Sequence, residues 1–561
     1  MAESLNGSQM LIEALHLEQV EVIFGYPGGA VLNIYDEIYK QTYFKHILTR
    51  HEQAAIHAAD GYARVSGKTG VAIITSGPGF TNAITGIATA YMDSIPLVII
   101  SGQVPISQIG TDAFQEVDAV GISRPCTKHN YLVKDIQDLP RIIKEAFYIA
   151  KTGRSGPVLI DIPKDISAKI GAFTYSESIE LKTYKPCFKG NQRQVKKLIQ
   201  ALQTSKKPLM YIGGGVVLGN AYHEIREFIK YSQIPAVETL MARGVLEFNN
   251  PQNLGMVGMH GSYASNMAMQ ECDLLISFGA RFDDRVTGKV SEFAKNAKIA
   301  HIDIDPSSIG KIIDVDYPIV GDVREVCLEL LGLAQEIDPN AYADWREHLR
   351  SYQKRYPLSF EDSDTIIKPQ WVIQQIGEIT SKDAIISTDV GQHQMWAAQF
   401  YPFMRPREFL TSGGLGTMGF GFPAAIGAYY AESKKTIINI TGDGSILMNI
   451  QELMTCVQYR IPVVNVILNN NYLGMVRQWQ TFFYEERFSH TDLSLQPDFV
   501  KLAESFGGVG FRVENKQDFI PTLKKAIQSQ KVCLIDVVID RYEDVLPMVP
   551  GGSPLNKMIL K

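Results

Sequence analysis

The sequence predicts an α/β protein built from three doubly wound parallel-sheet domains, the first and third of them related. Three observations predict this. β-branched runs end in glycine-rich turns and lead into helical segments along nearly the whole chain, as they do where helices cross between parallel strands. One such unit occurs twice: VAIITSGPG to SIPLVIIS near the start, and TIINITGDG to RIPVVNVIL near the end. Both copies run threonine, Gly-x-Gly turn, helix, Ile-Pro, β-branched strand, which implies two related domains. The third observation is length, since 561 residues suffice for three to four domains of ~150 residues each.

The first domain is expected over residues 1–172. EVIFGYPGGA reads as a strand and a glycine-rich loop, and VLNIYDEIYK as an amphipathic helix. In HILTRHEQAA a short strand delivers His51, Glu52 and Gln53 into a helix of small residues. A glutamate there ordinarily favours the helix dipole; a buried one facing a heterocycle nitrogen would relay a proton. His51 and His57 have no third metal ligand at suitable spacing, so they read as satisfied histidines. The polar stretch from Gly171 to Asn191 reads as a linker.

The middle domain is expected over 190–345. It holds the strand PLMYIGGG and two strand-then-loop units, CDLLISFGARFDDRVTG and AKIAHIDIDP. The segment Tyr211 to Gly219 nearly matches a dinucleotide fingerprint, and a tight strand-to-helix turn explains it as well. Arg281 and Arg285 read by default as surface ion pairs, although two fixed guanidiniums could hold a carboxylate or phosphate. A charged segment from Asn340 to Lys368, helical around Trp345, reads as a second linker. The third domain is expected over 368–545. The tail, 546–561, has no room for a long regular element and could cover a site.

The chemistry centres on Thr436 to Trp479. The run Ile437–Ile440 ends in Gly442-Asp443-Gly444-Ser445, and the run Val463–Leu468 ends in Asn469-Asn470-Asn471. In a parallel sheet both ends emerge on one edge, where α/β folds bind ligands. Asp443 and Asn470 would converge there as hard oxygen ligands, which Mg²⁺ needs when it is held by one or two side chains plus a substrate's phosphates. The glycines flanking Asp443 would let a diphosphate approach the backbone. A G-x-G-x-x-G match at Gly414 to Gly419 is not read as a dinucleotide site, because the acid that follows it is Asp443, already used in the clamp.

Composition excludes other classes. Hydrophobic residues make up 45% and charged ones 20%, with a net charge of −6, which provides no field to recruit nucleic acid or an anionic membrane. Six scattered cysteines without a C-x-x-C argue against structural zinc and a disulfide framework. No run approaches the ~18 apolar residues of a membrane span and the start lacks an apolar leader, so a cytoplasmic protein is expected.

Taken together, FGYPGGA, RHEQAA, TSGPG, GTDAFQE, GPVLIDIPKD, GMHG, RFDDR, HIDID, TSGGLGTMGFG, the GDG and NN clamp, and GMVRQWQ resemble the thiamin-diphosphate enzymes. Within them the chain resembles the catalytic subunits of acetohydroxyacid (acetolactate) synthases, over about residues 8 to 550. GTDAFQE and RFDDR resemble the biosynthetic, FAD-containing branch. The resemblance implies thiamin-diphosphate-binding first and third domains and an FAD-binding-like middle domain. It implies a transferase that decarboxylates pyruvate on thiamin diphosphate and condenses the hydroxyethyl carbanion with a second pyruvate or 2-ketobutyrate. That is the first common step of valine, leucine and isoleucine biosynthesis.

The same resemblance assigns residues. Asp443, Asn470 and the Tyr472 carbonyl would bind Mg²⁺. Gly444, Ser445, Gln392 and His393 would contact the diphosphate, with Val390, Gly391, Gly416 and Met475 beside the cofactor and Met418 propping it from below. Glu52, from a partner subunit, would act on the aminopyrimidine nitrogen. Trp479 and Arg285 would select the second substrate, and Gly29, Phe114, Gln115, Lys164, Met259 and Val476 would line the channel. FAD would lie near Arg154, Gly213, Gly214, Gly215, Thr239, Leu240 and Met241. Met259, His260, Gly261, Arg281, Asp303, Ile304 and Asp322 would complete its site. A homodimer or tetramer with active sites between subunits is implied, together with a small regulatory subunit. Another thiamin-dependent decarboxylase or oxidase is the nearest alternative enzyme. A non-catalytic paralogue would be expected to lack Glu52, Asp443 or Asn470, and all three are present.

Overall fold

The computed structural model describes residues 3–179 and 181–560 and contains three six-stranded sheets, parallel throughout. In the first, the strands run in the order Lys45–Leu48, Val22–Gly25, Gly70–Ile74, Leu97–Gln103, Pro157–Pro163, His129–Leu132. In the third, the order is Phe409–Leu410, Ala384–Thr388, Thr436–Gly442, Val464–Asn469, Cys533–Val538, Val509–Val513. Numbered within each sheet, both read 2-1-3-4-6-5. The repeated sequence unit occupies strands three and four of both, so the internal echo is a topological equivalence.

The middle sheet differs. Its strands Asn253–Met256, Ala236–Glu238, Pro208–Ile212, Leu274–Phe278, Lys298–Asp303 and Tyr317–Val320 follow the order 3-2-1-4-5-6, that of dinucleotide-binding folds. The central strands of all three sheets are buried along their whole length, apart from the half-buried Thr436 at the start of one. That is why they read as continuous apolar runs without alternation.

The outer domains pack on each other through two helices, Glu52–Ser66 and Gly421–Ala431. A Cβ at Gly61 would collide with the Ala424 carbonyl, and one at Gly427 with the Ala58 carbonyl. The small residues after Glu52 therefore let two backbones meet. A buried ion network crosses the same join. Arg64 donates to Asp60 and, at 2.8 Å, to Asp93, which accepts the main-chain N–H of Gly414 at 2.7 Å. The Gly414 to Gly419 turn is thus fastened to the first domain by Asp93.

Both expected linkers carry more structure than their polarity suggests. Ile170–Phe173 is a strand that pairs antiparallel with Glu3–Asn6, so the first domain clasps its own start. Ala343–Arg355 is the helix expected around Trp345, and beyond that expectation Trp345 is buried and donates its indole N–H to the Pro208 carbonyl at 3.1 Å, docking the segment on the middle domain. The tail has no helix or long strand but is not loose. Met548 and Ile559 bridge, Val549 N–H donates to the Met259 carbonyl at 2.8 Å, and Val549 and Leu555 are buried. All six cysteines are free, and among the described residues no helix is long and apolar enough to cross a membrane.

Candidate active site

The third-domain clamp follows from strand register. Gly442 lies opposite Leu468 on neighbouring parallel strands, so Asp443 and Asn470 leave the sheet together at one edge. Both are buried. Burial pushes the Asp443 carboxyl up to about 6, against hydrogen bonds from the Gln496 side chain and nearby main chain that pull it down. Asn471 sits in the left-handed region at φ 56, turning the chain so that the Tyr472 N–H donates to Asn470 Oδ1 at 3.0 Å. Asn470 Nδ2 in turn donates to Gln392 Oε1 at 3.2 Å, and Gln392 Nε2 to Gln478 Oε1 at 2.9 Å. The Gln392 side chain therefore aims Asn470. Among the described residues no three His, Cys, Asp or Glu side chains gather as a metal site. One carboxylate, one amide and one carbonyl suit a hard cation whose other ligands come from phosphate.

The glycines of this turn have a second use. A Cβ at Gly442 would stand 2.9 Å from His393 Nδ1, and one at Gly444 would stand 2.9 Å from Leu473 and 3.1 Å from Leu493. Sequence reasoning assigned them to a diphosphate alone; protein side chains also press on them. Burial drives the His393 imidazole down to about 3, so it is neutral, and its buried Nε2 has no partner within the protein. An unpartnered imidazole nitrogen on a ring packed against Gly442 fits a polar ligand, because a buried polar atom otherwise carries a desolvation penalty.

The first domain carries a second set of residues on its own sheet edge. Glu52 begins the helix Glu52–Ser66, and His51 caps it, its Nδ1 accepting the Gln53 N–H at 3.1 Å. Glu52 is buried and accepts from Asn82 Nδ2 at 3.0 Å, leaving Oε1 near Gly79. Thr75 packs on Gly28 and Gly79, and its Oγ1, against Gly28, is buried without a partner. The Gln115 main chain approaches Gly77 at 2.7 Å from its would-be Cβ, while Phe114 is 88% exposed. Asn33 Nδ2 donates to the Lys164 carbonyl at 3.3 Å. His57 is buried, close to Gln53, and its Nδ1 is unpartnered, so it is less completely satisfied than the sequence suggests.

A cavity of about 1320 Å³ runs between the middle and third domains and is also walled by the first, through Met92, Asp93, Ser94 and Arg154. That exceeds the ~300–1,000 Å³ of ordinary ligand pockets and suits a dinucleotide with a substrate channel. Arg154, Gly213, Gly214, Gly215, Thr239, Leu240 and Met241 line one end, with Asp303, Ile304 and Asp322. Met259, His260, Arg281 and Arg285 line the middle. Val390, Gly391, Gly416, Met418, Met475, Val476 and Trp479 form the third-domain wall. Thr239 Oγ1 and His260 Nδ1 are buried there without partners, which fits a polar ligand. Gly213 is also forced by packing, since its Cβ would meet the Gly279 carbonyl. Gly261 does not line the cavity; its missing Cβ makes room for the Met256 carbonyl and the Gly258 nitrogen. Arg281 and Arg285 lie 3.7 and 3.9 Å from Asp283 and Asp284, loose pairs that leave both facing the cavity.

Glu52, Gly29, Phe114, Gln115 and Lys164 are not among the residues lining this cavity, and neither are Gln392, His393, Asp443, Gly444, Ser445, Asn470 and Tyr472. Sequence reasoning missed Asn82, Gln496 and Glu452, whose partners are distant in the chain and which no motif marks.

Two sheets of one topology, one bearing an acid and the other a diphosphate-type clamp, define a thiamin-dependent enzyme. The thiamine pyrophosphate enzyme families match in three parts: the N-terminal TPP-binding domain at residues 5–122, the central domain at 195–330 and the C-terminal TPP-binding domain at 389–537. The chain is 46% identical, over its full length and 99% of the relative, to the acetolactate synthase isozyme 3 large subunit of Escherichia coli. It is 47% identical over its full length to the acetolactate synthase large subunit of Haemophilus influenzae, covering 98% of that protein. It is also 47% identical, over 99% of the chain and 95% of the relative, to a probable acetolactate synthase large subunit of Methanocaldococcus jannaschii. The chain belongs to the acetolactate synthase large-subunit family of thiamin-diphosphate enzymes.

Proposed function

We propose that the chain joins two 2-ketoacids with loss of CO₂. Pyruvate and pyruvate give acetolactate, and pyruvate and 2-ketobutyrate give acetohydroxybutyrate, the first common step towards the branched-chain amino acids. The observation that carries this reading is similarity to acetolactate synthase large subunits along the full chain, with Glu52, Asp443 and Asn470 all present. Bound thiamin diphosphate supplies an electron sink for decarboxylation and for joining the remaining two carbons to the second 2-ketoacid.

The chain's own residues bind, orient and move a proton. Asp443, Asn470 and the Tyr472 carbonyl hold Mg²⁺, while Gly444, Ser445, His393 and the Gln392 main chain receive the diphosphate. Met418 supports the cofactor rings, with Val390, Gly391, Gly416 and Met475 around them. Glu52 holds a proton at the aminopyrimidine ring nitrogen, and the Asn82 amide on its Oε2 keeps the carboxyl turned. Arg285 binds the carboxylate of the second substrate and Trp479 packs on its alkyl chain. Gly29, Phe114, Gln115, Lys164, Met259 and Val476 complete the channel. Because Glu52 and the clamp stand on different sheet edges, we assign the working unit as a homodimer or tetramer in which a partner's Glu52 meets each clamp.

FAD is assigned to the middle-domain end of the cavity. The reaction moves no electrons overall, so its role is structural. The relatives are named large subunits, which supports a small regulatory subunit as partner. A steady-state assay with pyruvate tests the reading: acetolactate without O₂ consumption supports it, and acetaldehyde or peroxide as the main product overturns it. Purified protein without flavin absorbance and without response to added FAD overturns the FAD assignment.

A further inference from the structure

We infer that Gln496 is a member of the divalent-cation site, turning its side-chain oxygen to the cation or to a water bound on it. The inference rests on the assignment of Asp443 and Asn470 as the cation clamp. Gln496 Nε2 donates to Asp443 Oδ2, the carboxylate on which the clamp depends. Its other end, Oε1, is buried and has no hydrogen-bond partner. A primary amide is a donor at one end and an acceptor at the other, and a half-turn about its last torsion exchanges the two without moving the backbone. With a cation on Asp443, an N–H aimed at that carboxylate meets like charge. The exchanged amide instead presents an oxygen, and the unpartnered atom becomes the useful one.

The surrounding chain holds Gln496 in place for this. The strap that ends at Gln496 lies along the loop bearing the Tyr472 carbonyl. Leu473 N–H donates to the Thr491 carbonyl at 2.9 Å, and Leu493 N–H donates to the Asn471 carbonyl at 2.8 Å. Arg541 pins the strap further through Asp492 at 2.6 Å and Ser494 at 3.0 Å. Leu493 rests against Gly444, the glycine after Asp443. An amide oxygen is a hard neutral donor of the kind Asn470 supplies, so it adds a ligand without adding charge to a site that also takes a diphosphate. By reciprocity, whatever affinity Gln496 lends the cation, the cation lends to the seating of this strap.

The test is a titration of full-length, metal-stripped protein with Mn²⁺ at fixed thiamin diphosphate, reading free Mn²⁺ by electron paramagnetic resonance. Gln496→Met keeps the volume and removes both polar ends; Gln496→Glu offers oxygen only. Gln496→Met should weaken Mn²⁺ by about tenfold, the scale of a lost outer-shell partner, while Gln496→Glu binds at least as tightly as the natural protein. An unchanged affinity for Gln496→Met, or an equal loss in both variants, overturns the inference provided that Asp443→Ala abolishes binding. If Asp443→Ala still binds Mn²⁺ normally, the clamp assignment itself fails and Gln496 falls with it.

Discussion

The Glu452 carboxylate accepts the Arg50 main-chain N–H at 2.9 Å, tying the helix that follows the Asp443 turn to the strand end that leads into Glu52. Thr455 donates to the same carboxylate at 2.7 Å. Burial nevertheless raises the carboxyl from its ordinary value of 4.5 to about 7, because these donors do not replace the water it has lost.

That relationship gives a pH dependence. Between 4.5 and about 7 the folded chain holds a proton at Glu452 that the unfolded chain has released. Stability from this group therefore falls as pH rises through that window and is level above it. Glu452→Gln should remove this slope, amounting to about 3 kcal/mol across the window. Thermal melts of both proteins at intervals from acid to neutral pH would measure it; parallel curves would refute it.

Glu52→Gln keeps size and the contact to Asn82 while removing the acid. Turnover should fall by about 10²–10⁴. Cofactor binding, followed separately by calorimetry, should change little, because the residues proposed to hold the diphosphate lie on another sheet edge. Full turnover in the variant would overturn the role given to Glu52.

Asp93→Asn leaves Arg64 buried with one carboxylate instead of two and weakens the anchor of Gly413 and Gly414. Breaking a buried pair of this kind costs about 3–5 kcal/mol. A lowered thermal midpoint together with faster loss of bound cofactor on dilution is the expected result.

Trp479 stands 5.6 Å from Phe483, ring centre to ring centre, with Gly551 of the tail against its far edge. Trp479→Leu should reduce the preference for 2-ketobutyrate over pyruvate by about tenfold, within the range one methylene can provide in an apolar pocket. A competition assay with both 2-ketoacids reads it directly.

Much of this was legible in the sequence because parallel strands buried on both faces announce themselves. The runs before Asp443 and Asn470 gave the strands, and the Ile-Pro echo gave the duplicated domain. The convergence of Asp443 and Asn470 followed, since neighbouring parallel strands end on one edge. What stayed hidden depends on contacts between distant segments. Gln496 reaches Asp443 from an irregular strap, and Glu452 reaches Arg50 across a domain join; neither leaves a periodicity or spacing to read. Polarity also misled where a charged segment such as Ala343–Arg355 buries one tryptophan and docks by it. Gly442 shows a third limit, because a motif glycine can serve a neighbouring imidazole as well as a ligand.

The placement of Glu52 on one sheet and Asp443 on another has a genetic consequence. If the acid and the clamp of each site come from different copies, a chain lacking Glu52 and a chain lacking Asp443 are each dead alone. Co-expressed, they assemble mixed pairs in which one site joins two damaged halves and the other joins two intact ones. Two null alleles should then complement each other, restoring growth without any recombination between them.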